Sequence, residues 1–174
     1  MDGGSVGAVG NYTFTNVTAN HTIAASFAIT THSIVATAGA NGSITPSGTT
    51  TVDYGASQTY TVTPATGYHV ASVLVDGTAA TLTAGTYTFS NVTANHTIAV
   101  TFAIDTFTIT ATAGSNGSIT PSGTTTVNYG SSQTYTITPA TGYHVFDVTV
   151  DGTLRYTRAK TGRFPTDAEI EDLL

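Results

Sequence analysis

The sequence predicts an all-β protein made of tandem repeats of about 75 residues, and two observations carry that expectation. Residues 36–70, ATAGANGSITPSGTTTVDYGASQTYTVTPATGYHV, return as residues 111–145 with changes only at Ala40/Ser115, Asp53/Asn128, Ala56/Ser131 and Val62/Ile137. Within each copy the apolar residues recur at every second position, the period of a half-buried strand.

The first block, residues 11–29 (NYTFTNVTANHTIAASFAI), reappears at residues 86–104 as TYTFSNVTANHTIAVTFAI. Asp2-Gly3 corresponds to Asp76-Gly77, and the last copy runs to Asp151-Gly152. Cut at these Asp-Gly pairs, the sequence reads as the back half of one unit (2–29), a complete unit (31–104) and the front half of another (105–152). Residues 153–174 follow as a charged tail of different character.

Inside the complete unit, Ile34, Ala36 and Ala38 alternate with polar neighbours, as do Val52 and Tyr54, Tyr60 and Val62, Tyr87 and Phe89, and Ile98, Val100, Phe102 and Ile104. Thr, Val, Ile and Tyr dominate these stretches and suit a pleated surface. Between Tyr68 and Val75 the apolar phase slips from Tyr68/Val70 to Val73/Val75, which predicts a bulge. Asn41-Gly42 and Asn116-Gly117 read as hairpin turns, and Pro46-Ser47-Gly48, Tyr54-Gly55, 64–67 and Asp76-Gly77 as further turns. No stretch of the repeats has a 3.6-residue apolar face, so each unit is expected to hold six or seven short strands. In the tail, Thr166 as N-cap with Glu169 three residues on predicts a short acidic helix.

Composition closes off several functions. The chain is 40% hydrophobic and only 8% charged, too apolar for disorder and poor in charge for a soluble protein. Its four cations, Arg155, Arg158, Lys160 and Arg163, all lie in the tail, whereas the repeats carry Asp2, Asp53, Asp76, Asp105, Asp147 and Asp151. Nothing in the repeats can neutralise phosphates, which argues against nucleic acid and against anionic membranes as partners. There is no cysteine for a disulfide or a thiolate metal site. No apolar run is long enough for membrane insertion, and no signal peptide follows Met1.

The combination of Tyr-Gly-x-Ser-Gln-Thr, Thr-Pro-x-Thr-Gly-Tyr and Asn-Val-Thr-x-Asn-His-Thr-Ile over residues 11–152 resembles the divergent internalin-B-type repeat of bacterial and archaeal surface proteins. The resemblance implies a small β-rich unit, β-grasp-like in the related internalin repeat, used in tandem outside the cell as a spacer or interaction module. It carries over no catalytic residues. The Gly-Trp element of related repeats is absent, the position reading Ser72-Val73-Leu74 or Asp147-Val148-Thr149, and no helix of the β-grasp type is evident. The architecture is therefore expected to be β-grasp-like or sandwich-like.

Candidate chemistry is sparse. His21, His32, His69, His96 and His144 have no second ligand close in sequence, so they read as strand or surface residues, and no metal site, cofactor or catalytic residue is expected. Asn-x-Ser/Thr sequons at Asn11, Asn16, Asn20, Asn41, Asn91, Asn95 and Asn116 are potential glycan acceptors in an exporting host, although a Thr-rich chain generates them by chance. Lys–Asn cross-links are excluded from the repeats for want of lysine, and a Thr–Gln ester would have to use Gln58 or Gln133. Thr-rich faces such as Thr49-Thr50-Thr51 read as solvated strand surface.

Strand edges without Lys, Arg or frequent Pro recruit other strands. The two half units make this concrete, since the back half at 2–29 carries what the front half at 105–152 omits. The expectation is a non-enzymatic extracellular or cell-surface protein, a fibre subunit or adhesin stalk that self-associates head to tail by strand addition. The alternative is an adhesion module that binds a host protein or carbohydrate.

Overall fold

The computed structural model describes residues 4–157, and these contain strands and turns with no helix. The expected helix around Thr166 and Glu169 lies outside the described residues. Eight strands make up the first unit: β1 (Thr31–Ala38), β2 (Gly42–Thr45), β3 (Gly48–Asp53), β4 (Gln58–Pro64), β5 (Tyr68–Val75), β6 (Thr78–Ala79), β7 (Thr86–Phe89) and β8 (His96–Ile104). They form a five-stranded sheet in the order β3-β1-β8-β5-β6 and a three-stranded sheet in the order β2-β4-β7. The sheets share one core, in which Ile34, Ala36, Val52, Val73, Ile98 and Val100 from the first meet Ile44, Tyr60, Val62 and Phe89 from the second, with Val92 from the loop before β8. Of the two architectures the sequence left open, this is the sandwich-like one.

The alternation names the inward residues of this unit almost one for one, because a strand with one face on a core must put every second side chain into it. Ala38 and Tyr54 are the exceptions and are exposed, each at the end of its run. The phase slip after Val70 is a β-bulge, with the β5–β8 register shifting between Val70 and Ser72. Asn41-Gly42 makes a different turn from the hairpin expected. It lies between β1 and β2, which belong to different sheets, so the chain crosses from one layer to the other there. Asn41 has φ near 69°, and a Cβ on Gly42 would run into the Phe102 ring of β8. The pair therefore serves a corner and a close approach. The two-residue hairpin is at Asp76-Gly77, both at positive φ, joining β5 to β6.

β8 holds the first unit together. It pairs parallel with β1 and antiparallel with β5, so it is bonded on both edges. Its Ile98 is fully buried.

The second unit repeats the local pairs without the sheet. β9 (Thr106–Ala111) pairs with β11 (Gly123–Asn128), β10 (Gly117–Thr120) with β12 (Thr136–Pro139), and β13 (Asp147–Val150) with β14 (Thr153–Thr157). These remain three separate two-stranded ladders. The residues 153–157, read from the sequence as the start of a charged tail, thus form a strand, whose pairings Val150↔Thr153 and Thr149↔Leu154 copy the β5–β6 hairpin. Residues 4–30 contain no strand, although 21–29 differ from β8 only at Ala25/Val100 and Ser26/Thr101. The reason lies in the environment: a segment flanked by neither β1 nor β5 lacks the two ladders and the covering layer that hold β8 in the first unit.

Burial measures the difference. Ile34 and Ile98 are 0% exposed, whereas their counterparts Ile109 and Ile23 are 40% and 67% exposed. Truncating Ile98 to Ala should therefore lower unfolding free energy by about 2–5 kcal/mol, whereas Ile23→Ala should leave the stability of an isolated chain within about 0.5 kcal/mol of the parent. Denaturant melts of the two variants at high dilution check this, and equal losses would contradict the difference in burial. Tyr60 offers a test of opposite sign. Its ring is fully buried against Phe89, and its hydroxyl has no hydrogen-bond partner among the described residues. Tyr60→Phe removes an unsatisfied polar atom while keeping the packing, so its melting temperature should equal or exceed that of the parent.

Candidate interaction surface

In the first unit the aspartates and histidines fall at or near strand ends and in turns. In the β5–β6 turn, Asp76 is bonded to the start of β8: the Thr97 amide donates to Oδ1 at 2.7 Å and His96 Nδ1–H donates to Oδ2 at 2.7 Å. At the far end of β8, the ring nitrogen Nδ1 of His69 is 2.7 Å from Asp105 Oδ1. Each clasp thus fixes one end of the central strand against β5. His32 is half buried near the Tyr54 ring, and His21 stacks on Phe14 at a ring separation of 5.0 Å. His144 is exposed in the turn before β13. Among the described residues no group of three or more His, Cys, Asp or Glu side chains could hold a metal ion. No helix there is long and apolar enough to cross a membrane.

Sequence reading missed the Asp76–His96 clasp. The signal was present, because Asp-Gly and Asn-His-Thr recur together in the repeats, with Asp76 and His96 twenty positions apart. What hid it was the intervening hairpin, which brings the two into contact across the sheet. The His96 hydrogen bond, with that from the Thr97 amide, holds the Asp76 carboxyl below its ordinary pKa.

The sequons are all on exposed residues, but several are already in use. Asn16, Asn41, Asn91 and Asn116 adopt positive φ in turns, and Asn95 Oδ1 accepts the Ser33 amide at 2.9 Å. Gln58 and Gln133 each direct Nε2 onto the carbonyl of the next residue, Thr59 and Thr134, at 2.9 Å. Among the described residues neither amide is hydrogen-bonded to a threonine hydroxyl, the contact that ester formation needs.

Apolar side chains are exposed in residues 4–30 and 105–157. Val17, Ile23, Ile109 and Ile137 are exposed at positions whose counterparts Val92, Ile98, Ile34 and Val62 are core residues. Among the described residues, β9, β12 and β13 are each bonded on one edge only. In the first unit the corresponding edges are taken by β8, between β1 and β5, and by β7, beside β4.

Strand-only units in tandem, hydroxyl-rich and acidic, define the class: a β-repeat protein. Its sequence matches the divergent InlB B-repeat domain at residues 32–106 and again at residues 107–166, and the chain belongs to that family. Repeat domains of this family are typically non-enzymatic and typically stand at the cell surface or outside the cell. No curated protein and no solved structure matches the chain.

The Asp76 clasp makes a pH prediction. A carboxyl whose folded-state pKa is depressed contributes stability above its unfolded value, and that contribution is lost as pH falls through the depressed one. The parent should therefore exceed Asp76→Asn in unfolding free energy by about 1 kcal/mol or less at neutral pH, the group being half exposed. Below about pH 4 the gap should narrow toward zero. Melting curves of both proteins between pH 7 and pH 2 check the sign, and a gap that widens in acid would contradict it.

Proposed function

We propose that this protein is a non-enzymatic structural component of the cell surface, a fibre subunit or stalk, whose incomplete units are completed head to tail by strands from neighbouring copies. The observation that carries the reading is that one sequence occurs in two environments. As β8 it is bonded on both edges and buried at Ile98; as residues 22–29 it forms no strand and is exposed, and among the described residues β9 is bonded on one edge only. Uncovered apolar surface costs about 25 cal/mol per Å², so covering it by a segment of matching pattern favours association. An interface of this kind is heterologous and propagates as an open chain.

Light scattering and negative-stain microscopy across a concentration series test this reading. Filaments with an axial repeat of one chain are expected, and they should disappear on deletion of residues 2–29. A monomer at every concentration would contradict the proposal.

One observation favours a second reading, an adhesion module for a host protein or carbohydrate. Phe107 and Phe146 are exposed on the C-terminal half unit at positions where the first unit has His32 and Ala71. Aromatic faces of this kind stack on sugars. On a glycan array, binding that vanishes in Phe107→Ser/Phe146→Ser while assembly is retained would select this reading.

A further inference from the structure

We infer that a socket at their joint holds the two units as one rigid body: Asp105 is bonded from both sides, and the Tyr129 ring of the second unit seats on Gly67 of the first. The inference concerns the joint within one chain and does not depend on assembly between copies.

One residue separates β8, which ends at Ile104, from β9, which begins at Thr106. Shortness alone leaves φ and ψ of that residue free to turn, and relative motion is the default between units that share a small interface. Hydrogen bonding removes the freedom. The Asp105 amide donates to the Gly67 carbonyl at 2.8 Å, one step beyond the Tyr68↔Ile104 pair that closes the β5–β8 ladder. The Asp105 carbonyl accepts the Tyr129 amide at 2.8 Å, one step beyond the Asn128↔Thr106 pair of β9 and β11. The linker therefore belongs to a ladder of each unit. A hinge at Asp105 cannot turn without giving up one of these bonds.

Side chains close the same joint. Nδ1 of His69, in β5, is 2.7 Å from Asp105 Oδ1, so the linker is tied to the first unit by its carboxylate as well as by its amide. Tyr129 follows β11, and its ring lies so close over the turn before β5 that a Cβ on Gly67 would run into Cδ1 of the ring. Gly67 also has φ near 78°, in the left-handed region. Glycine is thus required there twice, once by the turn and once by the seat. On its own side the ring has Phe107 of β9 as a neighbour, 6.4 Å away between centroids and inclined at 44°.

The receiving half of the socket recurs at the start of the first unit. There the Tyr54 amide donates to the Thr30 carbonyl at 2.8 Å, and the His32 ring lies 6.0 Å from the Tyr54 ring at 45°. Both ends follow from the same Tyr-Gly step, at 54–55 and at 129–130, whereas the Asp105 carboxylate is particular to the joint, its counterpart being Thr30. A unit presents its Tyr end ready shaped, and the partner that fits this end is the Thr-Gly-Tyr turn of the unit before it. For a stalk the consequence is reach. Units that turn together add their lengths end on, whereas units on flexible tethers recoil.

Distances between the units test the joint in the full-length chain, which has no native cysteine. Thr61 in β4 and Thr126 in β11 are exposed, so Thr61→Cys/Thr126→Cys carries one spin label on each unit. Diluting the labelled chain into an excess of unlabelled chain confines the distances read by pulsed EPR to one copy. A single narrow distribution is expected. Inserting Gly-Gly-Ser after Asp105 should broaden it by about 10 Å, the spread of a flexible three-residue tether. Gly67→Ala should broaden it toward that limit, and so should Tyr129→Ala/Asp105→Ala, which leaves the Gly67 turn unstrained. A parent distribution as broad as that of the insertion would overturn the rigid joint. Variants as narrow as the parent would overturn the socket as its cause. Neither result bears on head-to-tail assembly, and a chain that is monomeric at every concentration leaves this joint standing.

Discussion

The first unit depends on the two-sided pairing of β8. A central strand satisfies its own backbone groups and one edge of each neighbour at once, and here it does so for β1 and β5, the longest of the other strands. It also contributes Ile98 and Val100 to the layer that covers Tyr60, Val62 and Phe89. Strands β1–β3 and β5–β6 are local hairpin-like pairs that form from short stretches of chain. What converts them into one sheet is a strand that arrives last in the sequence, and the second unit shows the pairs without it.

This order of events explains why near-identical sequence has two structures in one molecule. Residues 21–29 have the β propensity of β8 and nearly all of its side chains, yet propensity in a strand is mostly a statement about neighbours. With β1 and β5 alongside, Ile98 leaves water and the backbone finds partners; with neither, the same residues stay extended and wet. The Asp76 and Asp105 clasps follow the same logic. Each depends on β8 already lying beside β5, so they fasten a strand that the core has placed.

How far the fold was legible in the sequence follows from this distinction. Period-two alternation named Ile34, Ala36, Val52, Tyr60, Val62, Phe89, Ile98 and Val100 as inward, and the phase slip located the bulge after Val70, because both are properties of a single strand. Asn41-Gly42 misled, since the same backbone chemistry serves a hairpin or a layer crossing, and only the Phe102 ring against Gly42 distinguishes them. The strand β14 went unread because Arg155 opens a basic stretch unlike the sequence after β6, whereas a two-residue turn at positive φ sets the pairing whatever follows. The clasps were invisible for a third reason: they join residues about twenty or more apart through a register that no local pattern encodes.

The treatment of edges connects the fold to the behaviour of the whole. In the first unit the long strands β1, β5 and β8 all contribute to interior ladders, and three of the four edge strands are short: β6 has two residues, β2 and β7 four each. Short edges limit pairing with strangers, which offsets the absence of lysine and the scarcity of proline in residues 31–104. Among the described residues β9 and β13 are each bonded on one edge, where β1 and β5 are bonded on both, and the charges beside them are Asp105, Asp147 and Asp151.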